Sequence, residues 1–106
     1  MVANLTSLLD RPMYTYAGTD RLLHLPPGTA RRWLNGYVRL GRFYDPVLRA
    51  EPLEADVVTW GEAVETRLLA EYRDKGASMV SLRPAVELLR AEFGRYPLAH
   101  ARPFLD

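Results

Sequence analysis

The chain has 106 residues, 48% of them apolar and 25% charged, with no cysteine and a formal charge of +1. That length supports one small core, and the lack of thiols excludes a disulfide framework and a cysteine-ligated zinc or iron–sulfur site, which fits a cytoplasmic setting. Nowhere do about 18 apolar residues run together, and no lysine or arginine precedes the first apolar stretch, so neither a membrane span nor a secretory leader is expected. The near-neutral total hides an asymmetry. Residues 11–49 hold seven arginines and two acids, a net +5, whereas residues 50–106 hold seven basic and ten acidic groups, a net −3. A basic first half suggests a surface that meets an anion, and an acidic second half suggests packing or a protein partner.

In chain order, Asn4–Leu9 is expected to form a short helical turn closed by Pro12. The run from Tyr14 to His24 predicts a helix with Thr15 as its N-cap and Ala17, Leu22 and Leu23 as its apolar residues. Leu25-Pro26-Pro27-Gly28 interrupts it, because residues before proline avoid helical dihedrals. A second short helix follows from Pro27 to Asn35 and stops at Gly36. Tyr37 to Arg49 alternates around Gly41 and carries β-branched and aromatic residues, which predicts a hairpin with its loop near Gly41 to Asp45. A polar loop from Ala50 to Ala55 leads to a third short strand at Val57-Val58.

Thr59-Trp-Gly-Glu62 is a capping box, so a helix should run from Trp60 to about Lys75 and end at Gly76. Its core stripe is read as Trp60, Val64, Leu68 and Tyr72, with Ala63 beside them. Ser81 is read as the cap of a last helix ending at Phe93, with Pro84 in its first turn and Leu82, Ala85, Val86, Leu89 and Phe93 on its buried face. The tail from Arg95 to Asp106, with Pro97 and Pro103, is expected to be extended. Trp33, Leu34, Trp60, Val64, Leu68, Leu89 and Phe93 should be buried together.

Two short helices joined by a tight turn and followed by a hairpin form the layout of a helix-turn-helix with a wing. On the second helix Ala30, Trp33 and Leu34 share one side, and Gly28, Arg31, Arg32 and Asn35 share the other. Arg31 and Arg32 can form forked hydrogen bonds to guanine edges or phosphate, and Asn35 can make paired bonds to adenine. Gly28 admits close backbone approach at a helix start whose free N–H groups attract phosphate. The competing reading is a solvated face whose arginines pair with Asp20 or Asp45. Tyr37, Phe43 and Tyr44 are expected to fill the inner face of the hairpin rather than stack on single-stranded bases.

Enzymatic readings are poorer. His24 and His100 have no second ligand at metal spacing, and no phosphate loop or nucleophile elbow occurs. Glu62 with Glu65, and Glu51 with Glu54, read as helix capping and a solvated loop rather than acid–base pairs. No catalytic residue, cofactor or metal is assigned.

The stretch Tyr14-Thr-Tyr-Ala-Gly-Thr-Asp-Arg-Leu-Leu-His-Leu-Pro-Pro-Gly-Thr-Ala-Arg-Arg-Trp33 resembles the opening of the MerR-like and excisionase winged-helix family. There a Tyr-Thr start, an Arg-Leu-Leu helix end and a Thr-x-Arg-x-aromatic recognition helix keep this spacing. The similarity extends more loosely to Gly94. Arg-Arg-Trp-Leu-Asn-Gly-Tyr37, Tyr-Asp-Pro-Val-Leu-Arg49 and Val-Thr-Trp-Gly-Glu62 resemble the N-terminal part of VapB-type antitoxins, whose partner is a PIN-domain ribonuclease toxin. The resemblance implies a mainly α fold, a MerR-like winged helix-turn-helix with a small β-hairpin wing over residues 1–94, followed by an extended tail or linker over 95–106. It places Thr15 at the phosphate-facing start of the first helix, Thr29, Arg31 and Arg32 on the recognition helix, and Arg39 and Arg42 on the wing; with Gly28, Asn35 and Tyr37 these make up the expected DNA-binding residues.

The function so implied is sequence-specific binding of double-stranded DNA at the chain's own operator, as the antitoxin and autorepressor of a toxin–antitoxin operon. Two alternatives stand beside it. One is a MerR-like regulator outside such a pair; the other is an interaction module whose acidic helices, 60–75 and 82–93, bind a toxin or sibling subunit. The chain departs from the family at Asp20, where a small alanine is common, and at Pro26, where a serine cap is common. Nothing after Gly94 forms the long coiled coil of MerR dimers. A homodimer is therefore expected to pair through the tail, with Leu98, Phe104 and Leu105 as an apolar arm, through the last helix, or through a region beyond Asp106.

Overall fold

The structure is a computed structural model that describes residues 8–105, with side chains described as far as Ala101. The turn expected over Asn4–Leu9 lies mostly outside the described residues; Leu8 and Leu9 are helical, and Leu9 is buried. In chain order the elements are β1 (Pro12–Tyr14), α1 (Tyr16–Leu23), α2 (Thr29–Asn35), β2 (Tyr37–Arg39), β3 (Arg42–Tyr44), β4 (Val58–Thr59), α3 (Trp60–Asp74), α4 (Met79–Phe93) and α5 (Pro97–Leu105). The architecture is mainly α, with β2 and β3 forming a small antiparallel hairpin and β1 pairing with β4.

Thr15 caps α1 as its spacing predicts: the hydroxyl accepts from the Gly18 N–H at 2.9 Å. The buried face of α1 is not the expected one. Tyr16, Thr19 and Asp20 turn inward, while Ala17 and Leu22 are exposed. Asp20 is the reason, since its carboxylate accepts from the N–H groups of Gly28 and Ala30, both at 2.8 Å, and so caps α2. Burying that cap rotates Leu22 toward water. α2 itself starts at Thr29 rather than Pro27, because Gly28 takes a left-handed φ of 89° in the turn. Ala30 and Leu34 are fully buried behind it.

The hairpin turn is Leu40–Gly41, not the longer loop expected up to Asp45. Tyr37 pairs with Tyr44, Val38 with Phe43 and Arg39 with Arg42. Both turn residues have positive φ, 52° and 75°, the signature of a two-residue type I′ connection whose twist suits the strands. The Tyr37 and Tyr44 rings stack at 4.9 Å across the root of the ribbon.

Thr59 and Glu62 form the predicted capping box at the start of α3. Of the expected stripe, Leu68 and Ala63 are buried, Val64 and Tyr72 are partly buried and Trp60 is 41% exposed, while Gly61, Glu62, Glu65, Thr66 and Leu69 join the buried face unexpectedly. The cause is the tail, which is helical and not extended. As α5 it packs on α3 and α4, and Gly61 lies so close under the Tyr96 ring that a Cβ there would stand 2.5 Å from Tyr96 Cε1. The Glu65 carboxylate caps α5 by accepting from the N–H groups of Leu98 and Ala99 at 3.0 and 2.7 Å. Pro97 suits the first helical position, where no N–H is needed. Pro97–Leu105 therefore belongs to the folded unit, and Leu98, expected on a free arm, is core; the side chains of Phe104 and Leu105, expected on the same arm, lie outside those described.

α4 begins at Met79 with Ser78 as its cap, one turn before the expected Ser81, and carries Pro84 beyond its first turn. Leu82 and Val86 are buried as predicted, but Ala85 is exposed. The core thus joins Leu34 of α2, Val47, Val58, Leu69 of α3, Val86 of α4 and Leu98 of α5.

Candidate nucleic-acid interface

With Ala30 and Leu34 facing the core, the helical period leaves Arg31 and Arg32 on the outer side of α2, and both are exposed. Neither is loose at its base. The Arg31 guanidinium lies 5.6 Å from the Tyr16 ring centroid, and Arg32 Nη2 donates to the Thr29 hydroxyl at 3.3 Å. Among the described residues no ion pair joins either arginine to an acid. Asp20, the partner that a solvated-face reading would require, is committed to backbone N–H groups instead.

A groove of about 700 Å³ separates this helix from the hairpin. Arg31, Arg32 and Asn35 line it on one side, Tyr37, Val38 and Phe43 on the other, with Leu53 and Glu54 at its edge. Arg39 and Arg42 are exposed on the ribbon, and the Arg42 guanidinium lies 5.1 Å from the Tyr44 ring centroid. The structure therefore brings four exposed cations onto two adjoining elements. Tyr37 is partly buried in its stack with Tyr44, as expected of the inner face, whereas Phe43 is exposed.

Four sequence-expected site residues have other positions or tasks. Thr15 is exposed, but its hydroxyl serves the Gly18 N–H. The Gly28 N–H donates to Asp20, so the start of α2 already holds a carboxylate where a phosphate was expected. Thr29 is buried and donates its hydroxyl proton to the Pro26 carbonyl at 2.7 Å. Asn35 Oδ1 accepts from Arg49 Nη1 at 3.1 Å and from the Leu53 N–H at 2.6 Å. A carbonyl oxygen has two lone pairs, so the paired recognition of adenine expected of Asn35 has no free acceptor.

Arg49 is the largest correction to the charge map. It is buried, with Nε and Nη2 on the two Glu62 carboxylate oxygens at 2.6 and 3.0 Å, and with further bonds to the Val57 carbonyl and the Tyr16 hydroxyl. Burial opposes its charge, yet the hydrogen bonds and charge of Glu62, with those of Tyr16, raise its pKa. This network ties α1, α2, the 50–57 loop and α3 together behind the cationic face. The capping box gives Glu62 a local role in sequence; its second partner, 13 residues upstream, has no local signal.

No family model matches the chain. It is 57% identical over 105 residues to the uncharacterized protein Rv2308 of Mycobacterium tuberculosis, a match that covers 97% of this chain and 44% of that protein. The chain thus spans less than half the length of this relative. No solved structure matches. Among the described residues, no helix is long and apolar enough to cross a membrane.

Proposed function

We propose that the chain is a MerR-like winged helix-turn-helix that binds double-stranded DNA, with α2 as recognition helix and the β2–β3 hairpin as wing. The observation that carries this reading is the pair of exposed arginines on α2, without an acidic partner among the described residues, beside a hairpin that presents two more. Arg31 and Arg32 take base edges or phosphates in the major groove, and Arg39 and Arg42 take phosphates or the adjoining minor groove. Asp20, Asn35 and Arg49 set the angle between these elements rather than touching DNA. In keeping with the resemblance to VapB-type antitoxins, the DNA is the chain's own operator in the cytoplasm, and the partner is a PIN-domain ribonuclease toxin. With Leu98 packed in the core, homodimer contacts do not use that side chain.

The test is a footprint of the purified chain on the DNA upstream of its own coding sequence. Protection of a discrete site supports operator binding; uniform or absent protection contradicts it. The alternative interaction module is favoured by one observation, the exposed Val80 and Leu88 on α4. Under it, α4 substitutions would abolish toxin capture while DNA binding was never present.

A further inference from the structure

The tip of the hairpin is built against its own stability. Leu40 takes φ 52° in the turn and is 96% exposed. That left-handed conformation is costly for leucine and cheap for asparagine or glycine, the usual residues of this turn type. Arg39 and Arg42 stand directly opposite each other as the pair that closes the turn, and like charges so placed weaken a ribbon. Behind them Val38 and Phe43, also opposed, are 69% and 48% exposed. Val38 and Phe43, as a β-branched and aromatic cross-strand pair, still support the ribbon, but folding alone favours neither Leu40 in the turn nor Arg39 opposite Arg42.

The root of the same ribbon is braced. The Tyr37–Tyr44 stack holds its base, and Gly36 lies beneath Phe43, where a Cβ would come within 2.8 Å of Phe43 Cζ. The result is a firm stalk that ends in a bare apolar point, on strands that carry the exposed Arg39 and Arg42, the latter with its guanidinium over the Tyr44 ring. Charge complementarity selects a polyanion as the occupant. The arginines suit phosphates on either side of a groove, and the apolar point suits the space between base pairs. Minor-groove proteins use leucine and similar side chains as wedges that partly unstack a step and kink the duplex.

We propose that Leu40 is such a wedge, entering the minor groove and opening one base step. The proposal rests on the duplex-DNA reading above and adds to it a source of sequence preference, because pyrimidine–purine steps are the easiest to open.

The test uses a duplex of about 30 base pairs, recovered by the wild-type chain from a random pool, with 2-aminopurine placed at successive steps. Leu40→Met keeps an apolar tip. Leu40→Asn removes it while favouring the turn, so a loss of hairpin structure cannot account for its effect. Wild type and Leu40→Met should raise the fluorescence at one step severalfold on binding, and Leu40→Asn should bind without that rise. Binding by the wild type with no step unstacked, or the same rise with Leu40→Asn, overturns the wedge and leaves DNA binding standing. Recovery of no duplex by the wild type overturns both. Self-association that Leu40→Asn abolishes, with no unstacking by the wild type, overturns the wedge and gives the tip to a protein partner.

Discussion

Glu65 lies on α3 at 1% exposure, with its carboxylate on the N–H groups of Leu98 and Ala99. Burial pushes its pKa from 4.5 up to about 7, against the downward pull of those N–H groups and of Arg90. Between these two values the folded chain holds a proton that the unfolded chain has released. Glu65's contribution to stability is therefore greatest below about pH 4.5 and falls as pH rises toward 7, by about 3 kcal/mol in all. Urea unfolding at about pH 5 and about pH 8 should show this loss in the wild type relative to Glu65→Gln, which has nothing to titrate there; equal pH dependence in the two would contradict the assignment. Asp20→Ala should cost about 1–2 kcal/mol in the same assay, because two N–H groups at the start of α2 lose their acceptor. These caps differ in how far they are legible. Thr15 and Thr59 serve N–H groups three residues away and stand out in the sequence, whereas Asp20 reaches 8 and 10 residues and Glu65 reaches 33 and 34. Local spacing carries no trace of an acceptor supplied by another element.

At the scale of elements, α3 shows how a pattern of large apolar residues misplaces a face. Trp60, Val64, Leu68 and Tyr72 recur every four residues, but the buried face is centred beside them because Arg49 and α5 satisfy the two carboxylates on it. The consequence is a ranking. Leu69→Ala, at a fully buried position, should cost about 2–5 kcal/mol, and Trp60→Ala should cost less despite removing a larger side chain; the reverse order in denaturant unfolding would restore the Trp60 stripe. Gly61→Ala should cost about 1–3 kcal/mol, since its Cβ would meet the Tyr96 ring and push α5 from α3. Loss of hydrogen-exchange protection over 97–105 would accompany it, and unchanged protection would contradict the close approach. The helical tail is hidden in sequence because Pro97 and Pro103 read as breakers. Only the docking surface on α3, with Glu65 waiting as a cap, makes Pro97 a helix start.

For the whole molecule, the split of charge between the two halves of the chain is legible directly, and so is the sequence of two short helices, hairpin and long helices. The layout is legible because caps, glycine stops and prolines are local signals. The use made of each arginine is not. Arg49 counts toward the basic half in sequence but is spent on Glu62 in the core; the six arginines that remain are exposed, Arg31, Arg32, Arg39 and Arg42 on α2 and the hairpin and Arg11 and Arg21 elsewhere. That separation of an internal cation from external ones underlies the proposed function: the buried network ties α2 and the loop together, and in the proposal the outer arginines meet a polyanion together. The most direct test is a titration of the footprinted duplex at several salt concentrations. Arg31→Ala and Arg32→Ala should each weaken binding by about 1–3 kcal/mol, and the double Arg39→Ala, Arg42→Ala variant should flatten the salt slope by about two units, all with unchanged circular dichroism. Affinity and salt slope equal to wild type in every one of these folded variants would contradict the assignment of α2 and the hairpin to DNA.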